Sequence, residues 1–210
     1  DADGDHPTWI ATYGAAGDDR EVVYYDGSTA IRLTDNLIDD AFPKLSGDRV
    51  VWQGRGGIDG GMDYEIFLYD GGTTTQLTVN DLNDEYPDVS ATHVVWIQTD
   101  SPAPPGDRRV MVYDGTTTVP VTTSIYFPDS VLLYNDLIYM CLDDGTDREI
   151  FKAEWLPDPT ATPTGIPAPT DTPTPGPTSP PPVVPVTGSG GIILLLGLAV
   201  VLTVVENRRH

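Results

Sequence analysis

Short runs of apolar, β-branched and aromatic residues alternate with clusters of Gly, Asp, Asn and Pro throughout residues 1–156. Such runs suit strands, because branched and aromatic side chains pack well on a pleated surface, while the clusters supply turns. No stretch in this part keeps a helical period. In Glu65-Ile66-Phe67-Leu68-Tyr69 almost every position is apolar, which fits a strand covered on both faces.

The pattern recurs about every 44 residues. Glu21-Val22-Val23-Tyr24-Tyr25-Asp26-Gly27 returns as Glu65-Ile66-Phe67-Leu68-Tyr69-Asp70-Gly71 and again as Arg109-Val110-Met111-Val112-Tyr113-Asp114-Gly115. Val50-Val51-Trp52 returns as Val94-Val95-Trp96 and as Leu137-Ile138-Tyr139. A fixed step of this size, built from strand-like units, predicts a β-propeller or a similar array. One full unit reads as strands over Phe42 to Ser46, Arg49 to Gln53, Tyr64 to Asp70 and Thr74 to Thr78. The next reads as Tyr86 to Ser90, His93 to Gln98, Arg109 to Asp114 and Thr117 to Thr122. Asp26-Gly27, Asp70-Gly71 and Asp114-Gly115 fall where the third strand must reverse into the fourth, and glycine takes the positive φ of a tight hairpin without steric cost. Pro43, Pro87 and Pro128 are expected to open first strands, where no ladder donor is needed.

The phase of the repeat predicts about three and a half blades in residues 1–156. The piece before Asp35 lacks a first strand, and the piece after Phe127 lacks a clear fourth. Closed propellers have roughly four to eight blades, so the expectation is an incomplete ring with blades missing upstream, or an open arc.

These residues resemble the TolB-type propeller family, whose blades carry a WD40-like repeat. The resemblance rests on Pro43-Lys44-Leu45-Ser46-Gly47-Asp48, Val50-Val51-Trp52, Ile66-Phe67-Leu68-Tyr69-Asp70 and Gln76-Leu77-Thr78, and on the copy Pro87-Asp88-Val89-Ser90, Val94-Val95-Trp96, Val110-Met111-Val112-Tyr113-Asp114 and Val121-Thr122. The family's Ser-Pro-Asp-Gly turn is altered to Ser46-Gly47-Asp48 and Ser90-Ala91-Thr92. The resemblance implies an all-β fold of four-stranded antiparallel blades. It implies no particular activity, since propellers host many functions.

The rest of the chain changes this picture. Residues 157–187 are rich in Pro and Thr and cannot pack a core, so they are expected to form an extended, disordered stalk. Residues 188–205 are an apolar run of 18 residues in which only Ser189 and Thr203 are polar. As a helix this run would span about 27 Å, enough for a bilayer core. The tail 206–210 holds Arg208-Arg209, which predicts a cytoplasmic end for a single transmembrane helix. Val184-Pro185-Val186-Thr187-Gly188 resembles the LPxTG sorting signal with Val184 in place of Leu. The resemblance implies a sortase partner that cuts between Thr187 and Gly188 and joins the protein to a cell wall. A permanent membrane span is the competing expectation. Either one places the propeller outside the cytoplasm.

Charge narrows the partners. Of 210 residues, 32 are acidic and 11 basic, for a net charge of -21, and the only lysines are Lys44 and Lys152. Such a surface repels phosphate backbones, which excludes nucleic acid. Cys141 is the only cysteine, so no internal disulfide or CxxC site exists, and the residue is expected to act as a small buried hydrophobe.

No GxSxG elbow occurs. Of the histidines, His6 lies near the start, His210 is terminal, and His93 is expected to cap a strand edge rather than serve a Ser/His/Asp triad. Asp35, Asp39 and Asp40 precede Pro43, and Asp81, Asp84 and Glu85 precede Pro87. They hold the same place in successive units, and clustered carboxylates are hard ligands suited to calcium; solvated turns are the plainer reading. The glycine-rich insert Gly54 to Asp63 reads as a surface hairpin. These features together predict a non-catalytic, surface-anchored propeller that binds protein, peptide or glycan through face loops. The alternative is part of an extracellular hydrolase or lyase with its catalytic residues elsewhere.

Overall fold

Four antiparallel sheets succeed one another along the chain in a computed structural model. The structure describes residues 1–4, 6–13, 19–56, 58, 60–100, 107–122, 127–143, 148–156, 191–195 and 198–204; for 19, 127, 154–156 and the last two segments only the backbone is described. The first sheet holds β1 (Ala2–Asp3), β2 (His6–Tyr13), β3 (Asp19–Tyr25) and β4 (Ala30–Arg32). The second holds β5 (Asp40–Ser46), β6 (Arg49–Arg55), β7 (Tyr64–Asp70) and β8 (Thr73–Gln76). The third holds β9 (Asn83–Val89), β10 (Val94–Thr99), β11 (Arg108–Tyr113) and β12 (Thr118–Pro120). The fourth holds β13 (Phe127–Tyr134), β14 (Leu137–Asp143) and β15 (Arg148–Leu156), followed by β17 (Leu198–Val204) and β16 (Gly191–Leu195).

Two expectations about blade completeness are corrected. The first unit does have a first strand, the two-residue β1, whose Ala2 and Asp3 pair with Pro7 and His6. The fourth unit does have a fourth strand: β17 runs antiparallel to β15, with Phe151 opposite Val204 and Leu156 opposite Ala199. The sequence pattern predicts a helix over 188–205, but the described backbone there is the β16–β17 hairpin, with Leu195 opposite Leu198. Among the described residues no helix is long and apolar enough to cross a membrane. An unbroken apolar run carries no period that separates a helix from a buried strand, and the open backbone edge of β15 offers a strand a full set of ladder partners. The Pro/Thr stalk and the Val184–Gly188 motif lie outside the described residues.

Local chemistry sets the strand ends. Asp26 Oδ1 accepts the backbone N–H groups of Ser28 and Thr29 at 2.8 and 2.7 Å, and Asp114 Oδ1 accepts those of Thr116 and Thr117, both at 2.8 Å. Gly27 and Gly115 complete these hairpins at φ 90° and 95°. The middle hairpin uses Gly71 and Gly72 in their place. Pro43 and Pro87 lie inside β5 and β9, not at their starts. The register slips there, between Ala41 and Lys44 and between Glu85 and Asp88. A bulge leaves a residue without a ladder bond, so the missing proline N–H costs nothing. The residue before each proline, Phe42 or Tyr86, has φ 52° or 56°, a conformation unfavourable for an aromatic side chain. Their rings meet edge to face at 5.2 Å on the solvent side.

The core lies between sheets, in three clusters. Val22 and Tyr24 of β3 meet Leu45, Val50 and Trp52 of the second sheet. Val51, Ile66 and Leu68 meet Val89, Val94, Trp96 and Met111 of the third. Val95, Val110, Val112 and Val121 meet Ile138, Met140, Leu142 and Ala153 of the fourth. Each fully buried aliphatic side chain contributes roughly 1.5–3 kcal/mol. Alternation along β14 sends Ile138, Met140 and Leu142 inward and leaves Cys141 half-buried on the other face, so the expected full burial of the cysteine is corrected.

Candidate functional site

The first two sheet junctions repeat one buried polar network. At the first junction, Trp52 Nε1 donates to Asp40 Oδ1 at 3.1 Å, and Asn36 Nδ2 donates to Asp40 Oδ2 at 3.0 Å. Glu21 accepts from the Thr34 hydroxyl, from the Asn36 backbone N–H at 3.1 Å and from Arg32 at 2.8 Å. The Val22 N–H donates in turn to Thr34 Oγ1 at 2.9 Å. The second junction repeats this arrangement. Trp96 donates to Asp84 at 2.6 Å, Asn80 to Asp84 at 2.8 Å, the Asn80 N–H to Glu65 at 3.1 Å and the Ile66 N–H to Thr78 at 2.8 Å. Each network ties the third strand of one sheet to the first two strands of the next. Burial pushes the carboxyls up despite these donors: Asp40 to about 6 and Glu65 to about 7, with Asp84 also raised.

The junctions differ at Gln98. Gln98 donates to Asp84 at 3.0 Å and fills the second junction. The residue 44 positions earlier is Gly54. A Cβ at Gly54 would collide with Asp40 Oδ1, and one at Gly56 with Ile38. A cleft of about 410 Å³ lies beside the first junction, between the first two sheets. Trp52 and Phe67, stacked at 5.8 Å and 13°, form its base, with Leu33, Ile38 and Ile58 around them. Asp40, which is buried, Gln76, and the exposed Asn36 and Arg55 supply its polar groups. Gln76 holds the loop in place, accepting the Ile58 N–H at 3.0 Å while donating to Thr78 O at 2.8 Å.

The six carboxylates singled out for calcium do not converge. Asp35 pairs with Arg32 at 2.8 Å, and Asp39 pairs with Arg20 at 3.0 Å. Asp40 and Asp84 point into the core as indole acceptors. Asp81 is exposed and Glu85 half-buried. Among the described residues no three His, Cys, Asp or Glu side chains gather to hold a metal ion.

His93 does meet Ser90 and Asp136, but not as a triad. The Ser90 hydroxyl donates to Asp136 Oδ1 at 2.5 Å rather than to the imidazole. Thr92 Oγ1 lies 2.6 Å from His93 Nδ1 and 2.8 Å from the same carboxylate. Ser90 Oγ also accepts the His93 N–H at 3.1 Å. The group joins the β9–β10 turn to the β13–β14 turn.

These sheets overlay known folds. Over 71% of this chain and 24% of the other, the structure matches an acylaminoacyl peptidase bound to a chloromethyl ketone, with TM-score 0.54 and 11% identity. It also matches the β-propeller domain of the Trilobed protease from Pyrococcus furiosus, over 63% of this chain and 40% of that one, with TM-score 0.50 and 12% identity. The fold is that of a β-propeller. TolB from Acinetobacter baumannii overlays more loosely, with TM-score 0.45 and 13% identity over 63% of this chain and 34% of that one, and adds nothing to the assignment. The chain spans less than half the length of each of these proteins. No family model and no curated protein matches the sequence.

The sheets are therefore blades, and the cleft lies between the first two. Sequence reasoning passed over Arg55, Phe67 and Gln76 as site residues.

Proposed function

We propose that this chain is a non-catalytic binding propeller displayed at a cell surface, taking protein, peptide or glycan ligands through loops on one face. The cleft between the first two blades carries the binding half of this reading. Its apolar base, with a few polar groups beside it, has the composition of small-ligand sites. A photo-crosslinking side chain at Ile58, which is exposed, tests it on the full chain: capture of an extracellular ligand that a soluble competitor abolishes supports the cleft, and capture that no competitor reduces overturns it.

The display half rests on the order of segments in the sequence: Pro/Thr tract, Val184-Pro185-Val186-Thr187-Gly188, apolar run, Arg208-Arg209. The apolar run has two uses. In water it covers the edge of β15; in a bilayer the same residues form a helix whose backbone bonds are internal. Sortase processing predicts a C-terminal peptide ending at Thr187 in protein released from cell walls. A permanent span predicts intact Arg208-Arg209-His210 in detergent extracts. Freely secreted protein that ends at neither place overturns anchoring.

A second reading, in which the propeller serves a catalytic domain in a longer protein, is suggested by the two protease-associated propellers that it overlays. Labelling of the native surface protein by an active-site hydrolase probe would favour it.

A further inference from the structure

We propose that the cleft between the first two blades recognises the C-terminal carboxylate of a peptide whose last side chain is apolar. The inference rests on the cleft being the ligand site, and it names what the site takes.

Pairing of the arginines carries the argument. Arg20, Arg32, Arg49, Arg108, Arg109 and Arg148 each lie within ion-pair distance of an aspartate or glutamate. Arg55 is the exception: among the described residues it makes no ion pair, and its guanidinium lies 4.4 Å from the Tyr64 ring centroid. In a chain of net charge -21 this is the arginine with no ion pair among the described residues, and it lines the cleft. The acids that feel its charge are Asp39 and Glu85. Asp39 is already held by Arg20 at 3.0 Å, and Glu85 also feels Arg108. A planar guanidinium resting on an aromatic face keeps its outer N–H fork for a carboxylate.

The remaining groups fix the ligand's direction. Asn36 donates to Asp40 and accepts from the Ile38 N–H at 2.7 Å, and Gln76 accepts from Ile58 and donates to Thr78, so both amide oxygens are engaged while each NH2 keeps one N–H for a ligand oxygen beside Arg55. Asp40, which is buried, repels an anion. The carboxylate therefore sits with Arg55, and the apolar side chain points inward between Leu33, Ile38 and Ile58. Trp52 is only 1% exposed and its Nε1 is used by Asp40, so it offers no open face for stacking a sugar ring. This favours a peptide over a glycan. At about 410 Å³ the cleft is near the small end of ligand sites, roughly 300–1,000 Å³, and suits a chain end rather than an extended segment.

The test uses the full chain in detergent and two probes, acetyl-Ala-Ala-Leu as the free acid and as the amide, titrated calorimetrically. The acid should bind about tenfold or more tightly than the amide. Arg55→Gln should erase that preference, and Ile58→Asp, an exposed change that brings a negative charge to the cleft mouth, should weaken the acid more than the amide. Equal binding of acid and amide overturns the carboxylate inference but leaves the cleft as a ligand site. An acid preference untouched by both variants places the site elsewhere and overturns both readings. If neither peptide binds and the Ile58 crosslinker captures a glycan, the peptide inference falls while the surface-binding reading stands.

Discussion

The first two blade junctions and the third solve the same packing problem with different chemistry. In the first two, a buried glutamate, aspartate and tryptophan recur at a step of 44: Glu21 with Glu65, Asp40 with Asp84, Trp52 with Trp96. One further step brings Arg109, Pro128 and Met140. Arg109 turns to Asp100 instead, and the junction becomes a continuous apolar cluster. Thr122 still accepts the Val110 N–H at 2.9 Å, as Thr34 and Thr78 do for their strands. What persists across all three is the backbone tie and an apolar cluster; what changes is whether a buried acid–tryptophan network is added to them. The polar junctions fix register and direction. The third keeps carboxylate ties of its own, Asp136 with Ser90 and Thr92, and Asp88 with the Leu133 N–H at 2.8 Å.

This comparison can be broken at its strongest point by Asp84→Ala. The change strands two buried donors, Trp96 Nε1 and Gln98 Nε2, and the half-buried Asn80 Nδ2. It should cost about 4 kcal/mol in urea unfolding; a loss below about 1 kcal/mol would show that water replaces the carboxylate. Met140→Ala should cost about 3 kcal/mol through its cavity, equally at pH 5 and pH 8.

The next expectation concerns pH. Glu65 and Asp40 titrate at about 7 and about 6 in the folded chain, above their ordinary carboxyl values of 4.5 and 3.8. The folded state thus binds protons more tightly than the unfolded state. Their contribution is complete below pH 4 and is lost as the pH rises through 6 to 7. Asp114 works in a different window: despite partial burial, the Thr117 and Thr116 donors hold it down to about 2, and its contribution is lost only in acid. The Glu65→Gln variant should therefore flatten the decline in melting temperature between pH 5 and pH 8, a difference on the order of 2 kcal/mol. An unchanged slope would refute the assignment.

The smallest effect sharpens the contrast between the two polar junctions. Glu21 has Arg32 as partner, whereas the matching position beside Glu65 is Gln76, and Glu65 Oε2 is left buried without a partner. Gln76→Arg should supply that partner but loses the acceptor of the Ile58 N–H, so the melting temperature at pH 8 should change by less than the equivalent of about 1 kcal/mol.

The repeat made the blades legible because its step and its turn residues act locally. Asp26-Gly27 and Asp114-Gly115 form the expected hairpins, and Tyr64–Asp70 is the strand predicted. The cleft was not legible in the same way. Its lining runs from Leu33 and Ile38 through Trp52 and Arg55 to Phe67 and Gln76, residues that spacing along the chain does not bring together. The carboxylates of the linkers were read as a group from their proximity in sequence, yet strand pleating turns Asp40 inward while Asp39 faces Arg20. The outer strand of the fourth blade was missed because it comes from beyond the Pro/Thr tract, far from the strand that it covers.

That borrowed strand has a consequence for how the molecule can be used. If residues 188–205 span a bilayer as proposed, residues 198–204 cannot at the same time complete the fourth blade against β15. An anchored molecule therefore presents β15 as a vacant edge, with a row of unpaired N–H and C=O groups that a strand from a neighbouring molecule could fill. Anchoring and lateral association would then be two readouts of a single exchange, and crowding of molecules on a surface would follow from how each one is held there.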